Sequence, residues 1–202
     1  MSLNTITSMQ LLPATIVSIG SEASSIAAAA ASHYPASTHN FESIDGREAT
    51  KLARELLTEL ADKGAATSAG SGLPAIVILS TTGKSSGVVE LLRSLRGASA
   101  AVRPRVWPAF VAGDSADLVA FDSGIDDLGP GACDLVLMMN GTASSSEKAA
   151  ALSAWLHVKM PAPPSVLGEL PDIDGKICRY VAIGSGTVSP SVDQQPKGAS
   201  VV

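Results

Sequence analysis

Short apolar runs, each followed by a segment with helical spacing, recur along this chain. Four of them have the length of a β-strand and little polar alternation: Ala14–Gly20, Pro74–Leu79, Val106–Ala112 and Cys133–Met139. Continuous apolar runs of this length are typical of parallel strands that are covered on both faces. We therefore expect these strands to lie inside a sheet with helices packed above and below it.

The connecting segments carry the periodicity of helices. The predicted helices are Ser21–His33, Arg47–Lys63, Val88–Leu95, Asp114–Leu128 and Ser146–His157. The second has the clearest pattern, because its leucines recur at steps of three and four residues and charged residues fill the opposite face. Ser144 or Ser145 is predicted to cap the last helix, and Gly64 is predicted to end the second.

Two weaker runs complete the set of strands. Ser37–Ile44 alternates weakly and is predicted to be an outer strand, and Lys176–Gly184 is predicted to be a half-exposed strand at an edge of the sheet. Pro108 interrupts the run at 106–112. Because proline has no N–H to donate to a neighbouring strand, we expect it near an edge or at a bulge.

Strands and helices that alternate in this way indicate an α/β fold with right-handed crossovers. We predict a three-layer, doubly wound domain of the Rossmann or flavodoxin-like type. Its sheet is mostly parallel, with five or six strands, and has helices on both faces. The domain is predicted to span residues 13–184, after an N-terminal extension at 1–12. The tail at 185–202 is polar and rich in Gly, Pro, Ser and Gln, and it is predicted to be disordered.

The charge balance argues against a nucleic-acid ligand. Charged residues make up 16% of the chain and the net charge is −5, whereas proteins that bind the phosphate backbone carry an excess of Lys and Arg. No stretch approaches the ~18 consecutive apolar residues of a membrane span, and the first residues, MSLNTITSMQ, lack the Lys and Arg of a targeting segment. We expect a cytoplasmic protein with no nucleic-acid partner and no membrane partner.

Residues that could hold a metal or carry catalysis are scattered. Cys133 and Cys178 lack CxxC spacing and fall in apolar runs, so we interpret them as reduced thiols of the core. Asp122, Asp126 and Asp127 cluster near a predicted helix end, where a solvated acidic surface accounts for them. There is no GxSxG nucleophile motif and no histidine with ligand spacing. The sequence therefore predicts no catalytic residue, no metal site and no cofactor.

One polar loop follows an apolar strand and precedes a helix, which is where an α/β fold binds anions with backbone N–H groups and the helix dipole. Its sequence, STTGKSSG, ends like a P-loop, but the first glycine of GxxxxGK[ST] would fall on Ile78, so we expect no nucleoside triphosphate there. Contact with a phosphate or carboxylate stays open. The candidate ligand-binding residues are Ser80, Thr81, Thr82, Gly83, Lys84, Ser85 and Ser86, with Asn140 after a later strand.

The sequence has one basic stretch, beside an aromatic residue. Its members are Arg93, Arg96, Arg103 and Arg105, with Trp107 nearby. Guanidinium groups beside an indole ring suit contact with an acidic partner. The alternative is a solvated helix end and loop. These five residues are the candidate partner-binding residues.

The segment Pro74–Arg96 resembles the phosphoacceptor region of response-regulator receiver domains, with an apolar strand, a turn and the helix GVVELLRSLR. Phe121–Leu128 is similar to the stretch before the last strand of receivers. Ser80 stands where the resemblance would place the phosphorylated Asp, and residues 19–21 lack the acidic pair that follows the first strand. The resemblance therefore implies a receiver-like fold without receiver chemistry.

Two functions follow as hypotheses. The first is a non-catalytic protein–protein interaction or assembly module that binds another protein or itself, through the helices at 47–63 and 88–96 or through an edge strand. It is favoured because no strand-end loop brings together an acid, a base and a nucleophile. The alternative is a small-molecule or nucleotide-binding protein, possibly an enzyme, that uses the loop at 80–86. Whether the chain is an enzyme stays open, with the non-catalytic interpretation preferred.

Overall fold

A computed structural model describes residues 14–66, 74–98, 104–111, 115–129, 132–160, 180–184 and 199–200. The strands in this part of the chain are β1 (Ala14–Ile19), β2 (Ala36–Phe41), β3 (Ala75–Ser80), β4 (Arg105–Phe110), β5 (Val136–Met139), β6 (Tyr180–Ile183) and β7 (Ala199–Ser200). They form a single sheet in the order β2-β1-β3-β4-β5-β6-β7, and every neighbouring pair is parallel.

Helices cover both faces of this sheet. They are α1 (Ser21–Ala31), α2 (Gly46–Ala66), α3 (Ser85–Gly97), α4 (Ser115–Leu128) and α5 (Ser145–Lys159). One hydrophobic cluster lies between the sheet and α2, α3 and α4, and the other lies between the sheet and α1 and α5. The predicted three-layer, doubly wound α/β fold is confirmed. The first five strands follow the flavodoxin-like order, in which the direction of winding reverses between β1 and β3.

The two layers of helices are built from different side chains. The leucines of α2 and α3 fill one face, as their spacing predicts, with Leu56 and Leu92 fully buried. On the other face α1 offers mainly alanine, and Ala23, Ala27 and Ala30 lie directly against the strands. Trp107 of β4 is the largest side chain of the same cluster and is fully buried.

Pro108 lies in the centre of the sheet, so the expectation of an edge or a bulge was wrong. It is in register with Ile78 of β3, and β4 is flanked by β3 and β5. The pairing of β4 with β5 begins only at Ala109, after the proline. Before that point the N–H of Val106 donates to the carboxylate of Asp134. The backbone N–H of Asp134 donates to the carbonyl oxygen of Val106 at 3.0 Å, so hydrogen bonds on this side precede the proline as well. The missing N–H of proline falls in the irregular segment before the regular pairing with β5 begins.

The C-terminal region also departs from the prediction. β6 covers only Tyr180–Ile183 and is not an edge strand, because β7 pairs with its outer side. Residues 199–200 thus form a strand within the tail that was predicted to be disordered. The rest of that tail, Cys178 and the extension at 1–12 lie outside the described residues. None of the described helices combines the length and the apolar character needed to cross a membrane.

Helices α5 and α2 each begin at a capping residue, and a carboxylate takes part in each cap. Ser144, one of the two predicted caps, begins α5 in a reciprocal arrangement with Glu147, and the hydrogen bond from the Ser144 side chain holds the pKa of the Glu147 carboxyl below its ordinary value. Asp45 plays the same part for α2, because its carboxylate accepts from the N–H of Glu48 at 2.9 Å. Gly64 does not end α2, which continues to Ala66.

Candidate functional site

The carboxyl ends of β1 and β3 flank the point where the winding reverses, which is the usual ligand crevice of such folds. Gly20 follows β1 with a φ of 102°, and a Cβ built on it would lie 2.1 Å from Oγ1 of Thr81. The N–H of Thr81 donates to the carbonyl oxygen of Ile19 at 3.1 Å, which holds the two strand ends together. The side chain of Thr81 therefore occupies the crevice between β1 and β3.

The candidate ligand loop surrounds this crevice, and the side chains of Ser80, Thr81 and Lys84 have partners within the chain. Lys84 lies 3.6 Å from the carboxylate of Glu42, which follows the edge strand β2. Ser80 and Ser85 are buried, whereas Thr82, Gly83 and Ser86 are exposed. The structure thus brings the predicted residues at 80–86 to one corner of the sheet, with a carboxylate beside their only cation.

Asn140 follows β5 and does not reach this corner as a ligand group. Its side-chain oxygen accepts from the N–H of Thr142 at 3.0 Å and from the hydroxyl of Thr142 at 2.9 Å. This local turn fixes the loop that leads into α5. The amide of Asn140 is therefore used by its own loop.

A buried lysine joins the two helices of the other layer. Lys148, in the first turn of α5, is 4% exposed, and its Nζ donates to Glu22 of α1 at 2.9 Å. Glu22 is 47% exposed, so one side of the pair faces solvent. The pair sits at the carboxyl edge of the sheet and ties the start of α1 to the start of α5. Sequence reasoning missed it because the partners are 126 residues apart.

Removing the carboxylate of this pair is expected to cost more than removing the lysine. We expect Glu22→Ala to lower the free energy of unfolding by about 1–3 kcal/mol, because the Lys148 ammonium stays buried without its partner. Lys148→Met keeps the apolar stem and removes the charge, so it is expected to cost less than about 1 kcal/mol. Urea denaturation measures both.

A matched control for this prediction is the exposed pair between Lys51 and Glu55, which are one turn apart on α2 at 3.7 Å. Glu55→Ala is expected to change the free energy of unfolding by less than about 0.5 kcal/mol. If Glu22→Ala were as mild as Glu55→Ala, the burial of Lys148 would have no energetic consequence and the prediction would be wrong.

Most described residues of the basic stretch that was predicted to bind a partner are buried or make contacts within the chain, and this corrects the prediction. Arg105 is 2% exposed and Trp107 is fully buried, so neither lies on a docking surface. Arg96 donates to the carbonyl oxygens of Leu128 and Gly129 at the end of α4. A cation there satisfies carbonyl groups that the helix leaves without a partner.

The two remaining members of that stretch are Arg93 and Arg103. Arg93 is exposed and pairs with Glu90 one turn earlier on α3. Arg103 lies outside the described residues. Of the five candidate partner-binding residues, Arg93 and Arg96 are thus the exposed ones in the described part of the chain.

Arg105 belongs to a buried aromatic cluster at the amino end of the sheet. Its guanidinium donates to the carbonyl oxygen of Met160 at 3.2 Å, at the end of α5, and its Cζ lies 5.9 Å from the centre of the Trp107 ring. Burial lowers the pKa of Arg105 from its ordinary value. Burial also raises the pKa of Tyr34 to about 12, although the charge of Arg105 works in the opposite direction.

The histidines and carboxylates considered for metal binding are dispersed. Nε2 of His39 lies 3.4 Å from Oε2 of Glu59. The carboxylate of Asp122 accepts a hydrogen bond from the hydroxyl of Tyr180. Cys133 is partly buried and packs against the core cluster under α2, α3 and α4. Within the described ranges no three His, Cys, Asp or Glu side chains are grouped closely enough to hold a metal ion.

A groove on the outer surface of α2 brings together three exposed cations of that helix. It has a volume of about 450 Å³ and runs beside α3, where Thr50 lies 3.4 Å from Ser94. Its lining residues are Gly46, Arg47, Thr50, Lys51, Arg54 and Glu55. We call it the α2 groove. Sequence reasoning treated its charges as the solvated face of a helix, and the signal was the spacing of the three cations at steps of four and three residues.

The chain matches none of the protein-family models, curated proteins or solved structures with which it was compared. What it does has to be argued from its own residues.

Proposed function

We propose that this protein is a non-catalytic interaction module that binds an acidic segment of a protein partner in the α2 groove. The observation that carries the proposal is the alignment of Arg47, Lys51 and Arg54 along one groove of a chain whose net charge is −5. Cations concentrated on one face of an acidic protein attract a negatively charged partner to that face.

The side chains in the groove are of the kind that bind carboxylates well. Arginine presents a planar fork of donors that matches a carboxylate in two hydrogen bonds, and it is enriched at interfaces where lysine is depleted. Arg47 and Arg54 are seven residues apart on α2, which is two turns of helix and about 10 Å along its axis. A partner segment with carboxylates at a similar spacing can reach both.

The alternative ligand corner is less suited to a ligand. Thr81 occupies the crevice between β1 and β3, and Lys84 has Glu42 beside it. A phosphate bound there would have to displace a side chain and compete with a carboxylate for the same cation. In the α2 groove Lys51 likewise has Glu55 beside it at 3.7 Å, but the groove offers two further cations, Arg47 and Arg54.

A short fluorescein-labelled peptide rich in Asp and Glu provides the test, with fluorescence anisotropy as the measurement. We expect binding at low ionic strength that weakens as salt is added. The variant Arg47→Glu/Arg54→Glu is expected to bind at least about tenfold more weakly, which corresponds to about 1.4 kcal/mol. Ala28→Glu is the matched control, because it adds negative charge at an exposed position of α1 on the opposite face of the sheet.

Three outcomes contradict the proposal. The first is no binding of the acidic peptide. The second is equal binding by the wild type and by Arg47→Glu/Arg54→Glu. The third is binding to vesicles of anionic phospholipid in place of the peptide, which would assign the groove to a lipid surface. Thermal unfolding of each variant shows whether it is folded, and substitutions at such exposed positions are expected to change stability by less than about 0.5 kcal/mol.

A further inference from the structure

The outward face of α4 carries an apolar residue followed by carboxylates. Val119 is 64% exposed, and within the described part of the chain only Val158 is a comparably exposed large hydrophobic residue. Ser123, Asp126 and Asp127 follow at steps of three and four residues, and all are exposed. Such spacing places the four on one stripe of the helix.

The carboxylates of this stripe lie at an unfavourable end of their helix. Asp126 and Asp127 are in the last turn of α4, where the helix dipole is negative, and that turn contains no basic residue. Arg96 of α3 reaches this end of α4 and donates to the carbonyl oxygens there. A sequence that places two carboxylates at the negative end of a helix breaks a local rule, and such departures are expected at functional positions.

The acidic helix and the basic groove share one layer of the fold. α2, α3 and α4 lie side by side on the same face of the sheet, with α3 in the middle. α4 has four aspartates and neither lysine nor arginine. The cations of the α2 groove therefore lie at one side of this layer and the carboxylates at the other.

We propose that the acidic segment bound by the α2 groove is α4 of a second copy of this chain, an inference that rests on the proposed function. In the proposed dimer the layers formed by α2, α3 and α4 of the two copies face each other. A twofold axis lies between the two layers and runs parallel to α3, so that α4 of each copy lies over α2 of the other. Both contacts are then the same, so the assembly closes as a dimer. The contacts of α3 with its two neighbours set the heights, because Thr50 of α2 lies beside Ser94 and Gly124 of α4 lies beside Val89. The axis therefore places the last turn of α4 over the start of the α2 groove, with Asp127 opposite Arg47.

The proposed contact has the chemistry of a salt-sensitive interface. Its charged pairs are at exposed positions, where the attraction between two charges is modest and is screened by dissolved ions. We therefore expect a dimer that dissociates on dilution and on addition of salt. Sedimentation velocity over a range of protein concentrations, at about 50 mM and about 500 mM salt, measures this.

Exchange of charges across the contact provides the decisive test. Arg47→Glu alone and Asp127→Lys alone are each expected to raise the dissociation constant of the dimer at least about tenfold, because each puts two like-charged pairs into the interface. An equimolar mixture of the two variants is expected to restore the dimer, since every pair in the mixed assembly is complementary. The double variant Arg47→Glu/Asp127→Lys is expected to restore it within one chain.

Loss of folding is not a competing explanation for these results. Asp127→Lys puts a cation at the negative end of α4, which is expected to stabilise the helix. A wild type that stays monomeric at every concentration would overturn the inference, and so would a dimer that neither single variant weakens. If the wild type is monomeric but binds the acidic peptide through Arg47 and Arg54, the proposed function stands and the partner is another protein.

Discussion

Replacement of Gly20 by alanine is expected to lower the free energy of unfolding by about 2–6 kcal/mol. Two effects add. Gly20 has a φ of 102°, which side-chain-bearing residues rarely adopt, and its new Cβ would lie 2.1 Å from Oγ1 of Thr81. The hydroxyl of Thr81 also donates to the carbonyl oxygen of Ile19 at 3.3 Å, so the side chain cannot move away without losing that bond. Urea denaturation followed by circular dichroism measures the loss.

Two further variants separate the backbone effect from the steric one. Gly83 also has a positive φ, 79°, but a Cβ there would meet nothing within 4 Å. Gly83→Ala is therefore expected to cost only the backbone strain, about 1 kcal/mol. Gly20→Ala/Thr81→Ala removes the overlap and is expected to be more stable than Gly20→Ala, although it keeps the strain at position 20.

The same measurement bears on the proposed function. If Gly20→Ala were as mild as Gly83→Ala, Thr81 would not occupy the crevice between β1 and β3. The crevice could then accept a ligand, and the case for the loop at 80–86 as a binding site would be stronger. A large loss in Gly20→Ala, relieved by Thr81→Ala, instead supports a crevice that the protein fills with its own side chain.

The fold was predictable because its evidence is local. Each strand is a short apolar run and each helix has its own periodicity, so the alternation that specifies a doubly wound sheet can be seen without knowing which strands are neighbours. Pro108 shows the limit of this reasoning. Its position in a run of strand length was clear from the sequence. Whether a proline is tolerated at that position depends on where β5 begins to pair with β4, and the tertiary structure decides that.

The candidate site was less predictable because its decisive contacts are distant in sequence. The loop at 80–86 was found from the motif, but the pairing of Lys84 with Glu42 depends on the position of β2 at the edge of the sheet. Arg105 and Trp107 were predicted to bind a partner because they belong to the one basic stretch of the sequence. They are buried because β4 lies in the centre of the sheet, where odd-numbered residues face α1 and α5.

The buried phenol of Tyr34 makes the stability of the protein fall in alkaline solution. Burial raises its pKa from the ordinary value of 10.0 to about 12. Between these two values the folded protein keeps the proton, whereas the unfolded chain releases it, so the stabilisation present below pH 10 is lost as the pH rises through about 12. The free energy of unfolding is expected to fall by about 3 kcal/mol over this interval. Urea denaturation at a series of alkaline pH values measures the fall.

Tyr34→Phe isolates this contribution from the other groups that titrate in the same range. Phenylalanine keeps the ring that packs edge-on against His157 at 5.0 Å and removes the ionising hydroxyl. Below pH 10 the difference in stability between the wild type and Tyr34→Phe is expected to be constant, and above pH 10 it is expected to shift in favour of the variant. Parallel curves for the two proteins up to pH 12 would contradict the prediction.

A substitution of Arg105 tests the cause of the shift. The positive charge of Arg105 lowers the pKa of Tyr34 and so offsets part of the effect of burial. Arg105→Met removes the charge and keeps most of the apolar stem, so the pKa of Tyr34 is expected to rise further. Absorbance titration of the phenolate measures it, because the chain has only two tyrosines and Tyr180 can be replaced by phenylalanine. An unchanged or lower pKa in Arg105→Met would mean that Arg105 does not act on the phenol through its charge.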